Sequence, residues 1–216
     1  GAAPDAWDSL ITAMRDKGYD KTDLIDAGLA VAGKNGGVYD KYRNRLMLPV
    51  IDVRGDVIGF TSRVMDDSTP KYLNTPETAI FKKRSILYGL NYAKNTKRPN
   101  FILVEGNIDV ITLHQAGFDN TVATMGTALT EEHARMLGRY TKELVLCYDN
   151  DAAGEDATQR AIALLKKSEL SVRVLRLPKR QMPDGTLGKQ DADDYIKNFG
   201  PGAFESLMDQ SANSAE

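Results

Sequence analysis

The chain has little of the chemistry that zinc sites and disulfide frameworks require. It contains 1 Cys and 2 His in 216 residues. Cys147 alone cannot close an intrachain disulfide, and with His114 and His133 it supplies too few ligands for a Cys/His zinc site. We therefore expect no zinc in this chain and a reducing, cytoplasmic compartment.

Long apolar stretches and a targeting leader are also missing. The apolar runs, such as residues 144–148, fall far short of the ~20 residues that a bilayer-spanning helix needs. No basic-then-apolar segment opens the sequence, so neither membrane association nor secretion is expected. With 42% hydrophobic and 27% charged residues, 8 Pro and 18 Gly, the composition is that of an ordinary folded protein.

Charge is unevenly distributed. The net charge of −2 hides a basic block, because residues 33–98 carry 13 Lys and Arg against 6 Asp and Glu, a net charge of +7. The following block, residues 99–168, carries 6 basic against 10 acidic residues, a net charge of −4. This asymmetry predicts one surface that faces phosphates and another that faces cations.

The apolar pattern changes near residues 96–100 and predicts three regions: a basic α+β subdomain at 1–98, a metal-binding catalytic subdomain at 99–200, and a helix with a frayed tail at 201–216. The first region should contain antiparallel strands at 46–53 and 57–64. In the second, strands at 101–104, 121–124, 144–148 and 172–177 alternate with helices at 108–116, 131–140 and 152–167. The predicted fold class is α/β, a parallel four-stranded sheet flanked by helices and preceded by a small mixed α+β subdomain.

Acidic residues follow three of the predicted parallel strands. Because the carboxyl ends of parallel strands share one edge of a sheet, residues distant in sequence can meet there. Crowded carboxylates repel one another unless a cation lies between them, and a hard divalent ion such as Mg2+ prefers oxygen ligands. The alternative is structural: Asp151 could cap a helix, and the later acids could be solvated loop charges. The five candidates are Glu105, Asp149, Asp151, Asp191 and Asp193.

Basic and aromatic residues alternate in the preceding region. Cations that contact phosphates and rings that stack on bases are typical of single-stranded nucleic-acid binding. The alternative is a solvated basic face with rings in the core. The candidate cations are Arg43, Arg45, Arg63, Lys71 and Lys82, and the interleaved rings are Tyr42, Tyr72, Phe81 and Tyr88.

The remaining candidates for nucleophilic or acid–base catalysis are weak. Cys147 lies in an apolar strand and is predicted to be a core residue. His114 and His133 lie on predicted helices without a partner acid at fixed spacing, so neither is expected to be catalytic.

Several short segments in a fixed order resemble a known family. Glu105, Gly106 and Asp109, followed by Asp149, Asp151 and Gly154, resemble the Toprim fold shared by primases, topoisomerases and some nucleases. Together with residues 42–45, 70–77, 81–82, 87–90, 126–130 and 191–193, they make most of the chain similar to the bacterial DnaG-type primases. The chain departs from the family pattern at Asn107, Ile108, Asn150 and Ala192, none of which removes an acid.

The resemblance implies an enzyme that joins ribonucleoside triphosphates into short RNA primers on a single-stranded DNA template, with release of pyrophosphate. It implies Mg2+, for which Mn2+ could substitute, held by the five acids, with Glu105, Asp149 and Asp151 catalytic and Asp109 in support. The five candidate cations would hold template and nucleotide. Whether Glu105 is a metal ligand or a general base stays open.

The resemblance also implies parts that this chain does not supply. Family members carry a zinc-binding module before the core and a domain after it that binds the replicative helicase, so the chain is expected to be a central fragment. Two alternatives remain: a Toprim topoisomerase or nuclease that uses the same acids, and a non-catalytic Toprim module that binds nucleic acid.

Overall fold

A computed structural model describes residues 1–213. The chain divides into two compact units, Gly1–Lys82 and Lys83–Glu216. The boundary between subdomains that the sequence predicts lies between residues 98 and 99, and it stays a prediction.

The first unit is built on a four-stranded antiparallel sheet in the order β1-β4-β5-β6, with a separate β2–β3 hairpin. Its long hairpin confirms the two strands predicted from alternating apolar residues. The elements are β1 (Ala2–Ala3), α1 (Ser9–Arg15), α2 (Lys21–Asp26), β2 (Ala30–Ala32), β3 (Val38–Asp40), β4 (Arg45–Ile51), β5 (Val57–Val64) and β6 (Tyr72–Asn74).

Short polar side chains determine where these elements turn. In the β4–β5 turn, Asp52 Oδ1 accepts hydrogen bonds from the backbone N–H groups of Arg54, Gly55 and Asp56 at 2.8–3.0 Å. Gly55 adopts φ 102°, which other residues rarely adopt. The buried carboxylate of Asp40 accepts the N–H groups of Leu10 and Ile11 at the start of α1, at 2.7 and 3.1 Å. These contacts satisfy donors that helix and turn geometry leaves unpaired.

The second unit contains a five-stranded sheet in the order β11-β10-β8-β9-β7. A 3₁₀ turn at Lys83–Ser85 opens the unit. The strands of this sheet are β7 (Leu87–Tyr88), β8 (Phe101–Val104), β9 (Thr121–Thr124), β10 (Glu143–Leu146) and β11 (Ser171–Val174). A separate hairpin consists of β12 (Arg180–Gln181) and β13 (Leu187–Gly188). The helices are α3 (Leu90–Ala93), α4 (Asn107–Gln115), α5 (Glu131–Leu137), α6 (Ala152–Leu165) and α7 (Ala192–Asn213).

Four strands of this sheet are parallel, which confirms the predicted topology. β8 pairs in parallel with β9 and β10, and β10 with β11. Every residue of β8 and β9 is buried, as expected for strands covered on both faces. Helix α4 packs against α7, and α5 against α6, so helices flank the sheet. The structure adds one antiparallel edge strand, β7. Only two residues of β7 pair with β9, and so short a strand leaves no pattern from which it could be predicted.

The end of the second unit differs in detail from the prediction. The helix expected at residues 203–208 is part of α7, which is interrupted at Gly200 (φ 79°, ψ 171°) just before Pro201. The end of the predicted frayed tail, residues 214–216, lies outside the described residues. Among the helices of residues 1–213, none combines the length and apolar character that crossing a membrane requires.

Candidate metal centre and nucleic-acid interface

Contacts at the ends of β8 and β10 link three of the predicted acids. Glu105 follows β8 directly, and its Oε1 accepts the backbone N–H of Asp149 at 3.0 Å. The Lys189 ammonium contacts Asp149 Oδ2 and lies 3.1 Å from Asp151 Oδ2. Because one ammonium reaches both, the two Asp carboxylates face the same space. Asp151 also caps α6, accepting the Gly154 N–H at 2.8 Å, so its structural role is present alongside its place in the cluster.

A second acidic group begins α7. One oxygen from each of Asp191, Asp193 and Asp194 lies within 4.8 Å of the others, a spacing that could hold a metal ion. Asp193 is fixed in place by the Thr112 hydroxyl, which donates to Oδ1 at 2.5 Å, and by Lys197, whose Nζ lies 2.6 Å from Oδ2.

Asp109 joins the two acidic groups. Its Oδ2 accepts the Gly106 N–H at 3.1 Å, in the loop after β8, and its Oδ1 accepts the Asp193 N–H at 2.9 Å. Burial raises the pKa of Asp109 to about 7, and the nearby charges of Asp191 and Asp149 add to the rise. The side chain is 6% exposed, so it positions the two loops from behind and offers little surface to a ligand.

The pKa shifts describe a site in which neighbouring carboxylates repel one another. Burial, and then repulsion from Asp149, raise the pKa of Glu105. Burial and the charges of Asp194 and Asp149 raise the pKa of Asp191, against the opposing hydrogen bond from the Asp194 N–H. Since Asp149 acts on both groups, the acids after β8, after β10 and before α7 form one electrostatic unit.

The arrangement fits a hard divalent cation. Among the described residues, Asp191, Asp193 and Asp194 have the spacing of a metal site, and their carboxylate oxygens, like those of the acids after β8 and β10, are the ligand type that Mg2+ and Mn2+ prefer. A positive group, the Lys189 ammonium, already lies between Asp149 and Asp151. Cys147 is buried, and burial raises the pKa of its thiol, as expected for a core residue.

A cleft of about 280 Å³ opens beside Glu105. Residues 126–129, one of the segments that carried the family resemblance, form part of its lining together with Tyr148 and Arg160. A hydrogen bond from the Thr124 hydroxyl to the Thr127 carbonyl at 2.7 Å holds this loop at the end of β9.

The candidate cations Arg43 and Arg45, two residues apart in sequence, have different surroundings. Arg43 and Arg45 do not share a strand face, because β4 begins at Arg45 and Asn44 adopts φ 49°. Arg43 lies over the Trp7 ring, 4.1 Å from its centroid. Arg45 is 7% exposed and donates from Nη2 to the Pro70 carbonyl at 2.8 Å, whereas its buried Nη1 has no partner among the described residues.

The remaining cations and one ring are exposed. Arg63, Lys71 and Lys82 are exposed, as is Tyr72. The other three rings expected as stacking surfaces are buried, so for them the core alternative is correct. These buried rings are Tyr42, Phe81 and Tyr88.

The acidic rim is the edge of the sheet that carries Glu105, Asp149, Asp151, Asp191 and Asp193. Three further residues at this rim were not predicted from the sequence. Lys189 follows the β12–β13 hairpin, which no apolar pattern in the sequence predicts, and its ion-pair partners lie about forty residues earlier in the chain. Thr112 lies on a helix face without a distinguishing spacing. Asp194 is not among the five candidate acids, although its place directly beside Asp193 at a helix start was the available signal.

A parallel sheet with acids gathered at its strand ends defines a Toprim-type domain. Residues 102–196 match the family described as Toprim-like, domains that bind divalent metal through an acidic Asp-x-Asp motif, and residues 1–94 match the DNA primase catalytic core, N-terminal domain. The chain belongs to the DnaG-type DNA primases and corresponds to their catalytic core, which confirms the resemblance.

Individual relatives support this assignment. The chain is 45% identical to the DNA primase of Clostridium acetobutylicum over 214 residues, 99% of this chain and 34% of that protein. It is similar to the RNA polymerase domain of Mycobacterium tuberculosis primase DnaG, with 33% identity, a TM-score of 0.83, and coverage of 96% of this chain and 68% of that one. A DnaG primase catalytic domain bound to ssDNA gives 38% identity and a TM-score of 0.86, covering 97% and 66%. The chain thus spans about a third of the length of full primases.

Proposed function

We propose that this chain is the catalytic core of an enzyme that synthesises short RNA primers on single-stranded DNA. Ribonucleoside triphosphates are joined with release of pyrophosphate, and primer synthesis serves DNA replication in the cytoplasm. The observation that carries the proposal is that Glu105 accepts the Asp149 N–H while Asp149 and Asp151 share one ammonium group, in a chain that belongs to the primase family.

The acidic rim is the proposed site of Mg2+ or Mn2+. The ligands are Glu105, Asp149, Asp151, Asp191 and Asp193. A divalent ion held there supplies activation of the attacking 3′-hydroxyl and charge stabilisation of the leaving pyrophosphate. No protein nucleophile is needed, which agrees with the buried position of Cys147.

The chain's own residues keep the acids in place. The Glu105 carboxylate accepts the Asp149 N–H and so fixes the loop after β10 against the loop after β8. Asp109 performs the same task between the loop after β8 and the start of α7. These hydrogen bonds preorganise the carboxylates before substrate arrives, which lowers the cost of bringing them together during the reaction.

The single-stranded template is the proposed partner of the exposed face of the β4–β5–β6 sheet. Arg63 lies opposite Leu46 on β4 and opposite Tyr72 on β6, so the three side chains form one cross-strand row. Tyr72 is 43% exposed, and the Lys71 ammonium lies 5.8 Å from its ring centroid. An exposed ring flanked by two cations can stack on a base while the cations contact phosphates. A related catalytic domain solved with ssDNA supports this choice of partner.

The other proposed contacts to template or nucleotide are Arg43, Arg45 and Lys82. The planar Arg43 guanidinium already stacks on Trp7, which is 64% exposed, a combination suited to a base or sugar edge. Arg45 retains an unpaired Nη1 in a buried position, where a phosphate oxygen would supply the missing acceptor. The replicative helicase is the proposed partner of the longer protein, through a domain beyond this chain.

The experiment is primer synthesis on a single-stranded DNA template by the full-length protein that carries this core. Asp149→Asn or Asp151→Asn should abolish Mg2+-dependent dinucleotide formation while circular dichroism and unfolding transitions stay at the wild-type level. Asp156→Asn is the matched control, because Asp156 lies on the same α6 helix and is exposed. Wild-type turnover by either of the first two variants would reject the site, as would nicking of DNA in place of primer synthesis.

A further inference from the structure

Lys189 is the one positive group that touches the acids following β10 among the ion pairs of the described residues. It follows the β12–β13 hairpin directly and stands two residues before Asp191. Its side chain is 51% exposed, whereas those of Asp149 and Asp151 are 16% and 34% exposed. The ammonium therefore reaches from solvent into a more enclosed carboxylate pair on a long, flexible stem.

The contacts of this ammonium are those expected of a bound cation. It lies within ion-pair distance of one oxygen of Asp149 and one oxygen of Asp151, so the two carboxylates share its charge. Without a positive group, the pair would face its own repulsion and that of Glu105.

An ammonium and a divalent ion compete for the same carboxylate oxygens, because the two positive charges repel each other and both need the oxygens of the pair. Asp149 Oδ2 and Asp151 Oδ2 are the atoms that Lys189 contacts, and they face the space that the proposed metal would share. The second lysine of the rim differs, because Lys197 contacts Asp193 alone, from the next turn of the same helix. Lys189 is therefore the lysine whose position conflicts with an ion held between the two aspartates.

Resting on the proposed metal site, we propose that Lys189 is an internal place-holding cation. It occupies the Asp149–Asp151 pair while no ion is bound, keeps the two carboxylates together, and is displaced toward solvent when a divalent ion loads. The hairpin backbone need not move, because the stem of the exposed side chain has enough rotatable bonds to withdraw the ammonium. The ammonium keeps the site preformed at low ion concentration. Because it competes with the ion, it also lowers the affinity of the site for that ion.

The first test is a titration of this chain with Mn2+ alone, followed by electron paramagnetic resonance of the free ion. Lys189→Met should bind Mn2+ on the order of tenfold more tightly, the size of one charge-assisted hydrogen bond that no longer competes. Lys189→Arg should stay near wild type, because it keeps the competing charge. Lys167→Met, an exposed lysine at the end of α6, removes the same charge at another place and should leave affinity unchanged.

The second test follows the displacement itself. Amine acylation read by mass spectrometry should modify Lys189 severalfold faster after Mn2+ is added, with Lys167 as the internal reference. Unchanged or weaker binding by Lys189→Met, or a Lys189 acylation rate that Mn2+ does not raise, overturns the place-holder. If instead neither wild type nor Lys189→Met binds Mn2+, the proposed metal site itself fails, and the place-holder with it.

Discussion

Gly154→Ala gives a direct test of how closely the acidic loop packs on α6. Gly154 is buried in the first turn of that helix, and its N–H donates to Asp151 Oδ1. A Cβ at this position would lie 2.0 Å from the Asp149 carbonyl oxygen, 2.9 Å from its carbon and 3.0 Å from Glu105 Oε1. Ordinary contacts begin at 3.4 Å, so the backbone of Asp149 has to move by more than about 1 Å.

Two opposing effects determine how far Gly154→Ala changes the free energy of unfolding. Alanine is a better helix former than glycine by about 1 kcal/mol, which alone would stabilise α6. Overpacking of this kind costs about 1–3 kcal/mol, and here the clashing atoms are backbone atoms that cannot rotate away. Because of this, we take the upper part of that range, about 2–3 kcal/mol, and after subtracting the helix gain we expect the free energy of unfolding to fall by about 1–2 kcal/mol. A displacement of about 1 Å at Asp149 should lower the rate of primer synthesis on the order of a hundredfold.

The assay combines urea unfolding and Mn2+ titration of the chain with primer synthesis by the full-length protein. Gly138→Ala is the matched control, because Gly138 ends α5 with φ −61° and the nearest contact of its added Cβ would be the Ala134 carbonyl oxygen at 3.4 Å. That variant should be neutral or stabilised by about 0.4–1 kcal/mol. If Gly154→Ala were as stable as Gly138→Ala and bound Mn2+ with wild-type affinity, the reasoning about this close approach would be refuted.

Three further perturbations test the pH dependence, the packing of α7 and the template surface. Buried His133 accepts the Thr130 N–H at Nδ1 and donates from Nε2 to the carbonyls of Lys83 and Ile86, and burial lowers its pKa from 6.5. The unfolded state therefore binds the proton first, so the contribution of His133 to the unfolding free energy falls as pH drops below about 6.5, whereas Asp109, whose pKa is raised to about 7, contributes with the opposite sign. The difference in unfolding free energy between His133→Gln and wild type should therefore shift in favour of the variant as pH falls from 7.5 to 5, and a difference that does not change with pH would contradict the assignment. Arg173 donates to Glu143, the Met208 carbonyl and Ser211, each at 2.7 Å, so Arg173→Met should lose about 2 kcal/mol in urea unfolding. Arg176→Met, at the exposed pair with Glu155, should lose less than about 0.5 kcal/mol, and equal losses would remove the distinction. Arg63→Ala should reduce the slope of log affinity for single-stranded DNA against log salt by about one, whereas Arg54→Ala in the exposed turn should not. A slope that Arg63→Ala leaves unchanged would take Arg63 off the template surface.

The sequence predicted the parts of the fold that depend on continuous apolar runs. β8 and β9 begin and end at the predicted residues, because four buried residues between polar breaks leave little choice of boundary. The two-residue strand β7 and the β12–β13 hairpin carry no such run, so pairing with distant residues decides them. Asn44 likewise gave no sign of its positive φ, which separates Arg43 from the strand that begins at Arg45.

The site was predictable to the extent that topology determines it. Parallel strands bring their carboxyl ends to one edge, and this alone was enough to group Glu105 with Asp149 and Asp151. The position of Lys189 follows from the path of an exposed hairpin, which no periodicity encodes. The sequence could not decide whether the Tyr42 ring lies in the core or stacks on a base, because a ring between cations suits a core and a binding surface equally well.

Anomalous diffraction from a crystal of this chain soaked in Mn2+ tests the central claim most directly. We expect anomalous density bounded by the carboxylates of Glu105, Asp149, Asp151, Asp191 and Asp193, with the Lys189 ammonium withdrawn from the oxygens that it contacts. Density on other surface carboxylates alone, with Lys189 still in contact with Asp149 and Asp151, would contradict it.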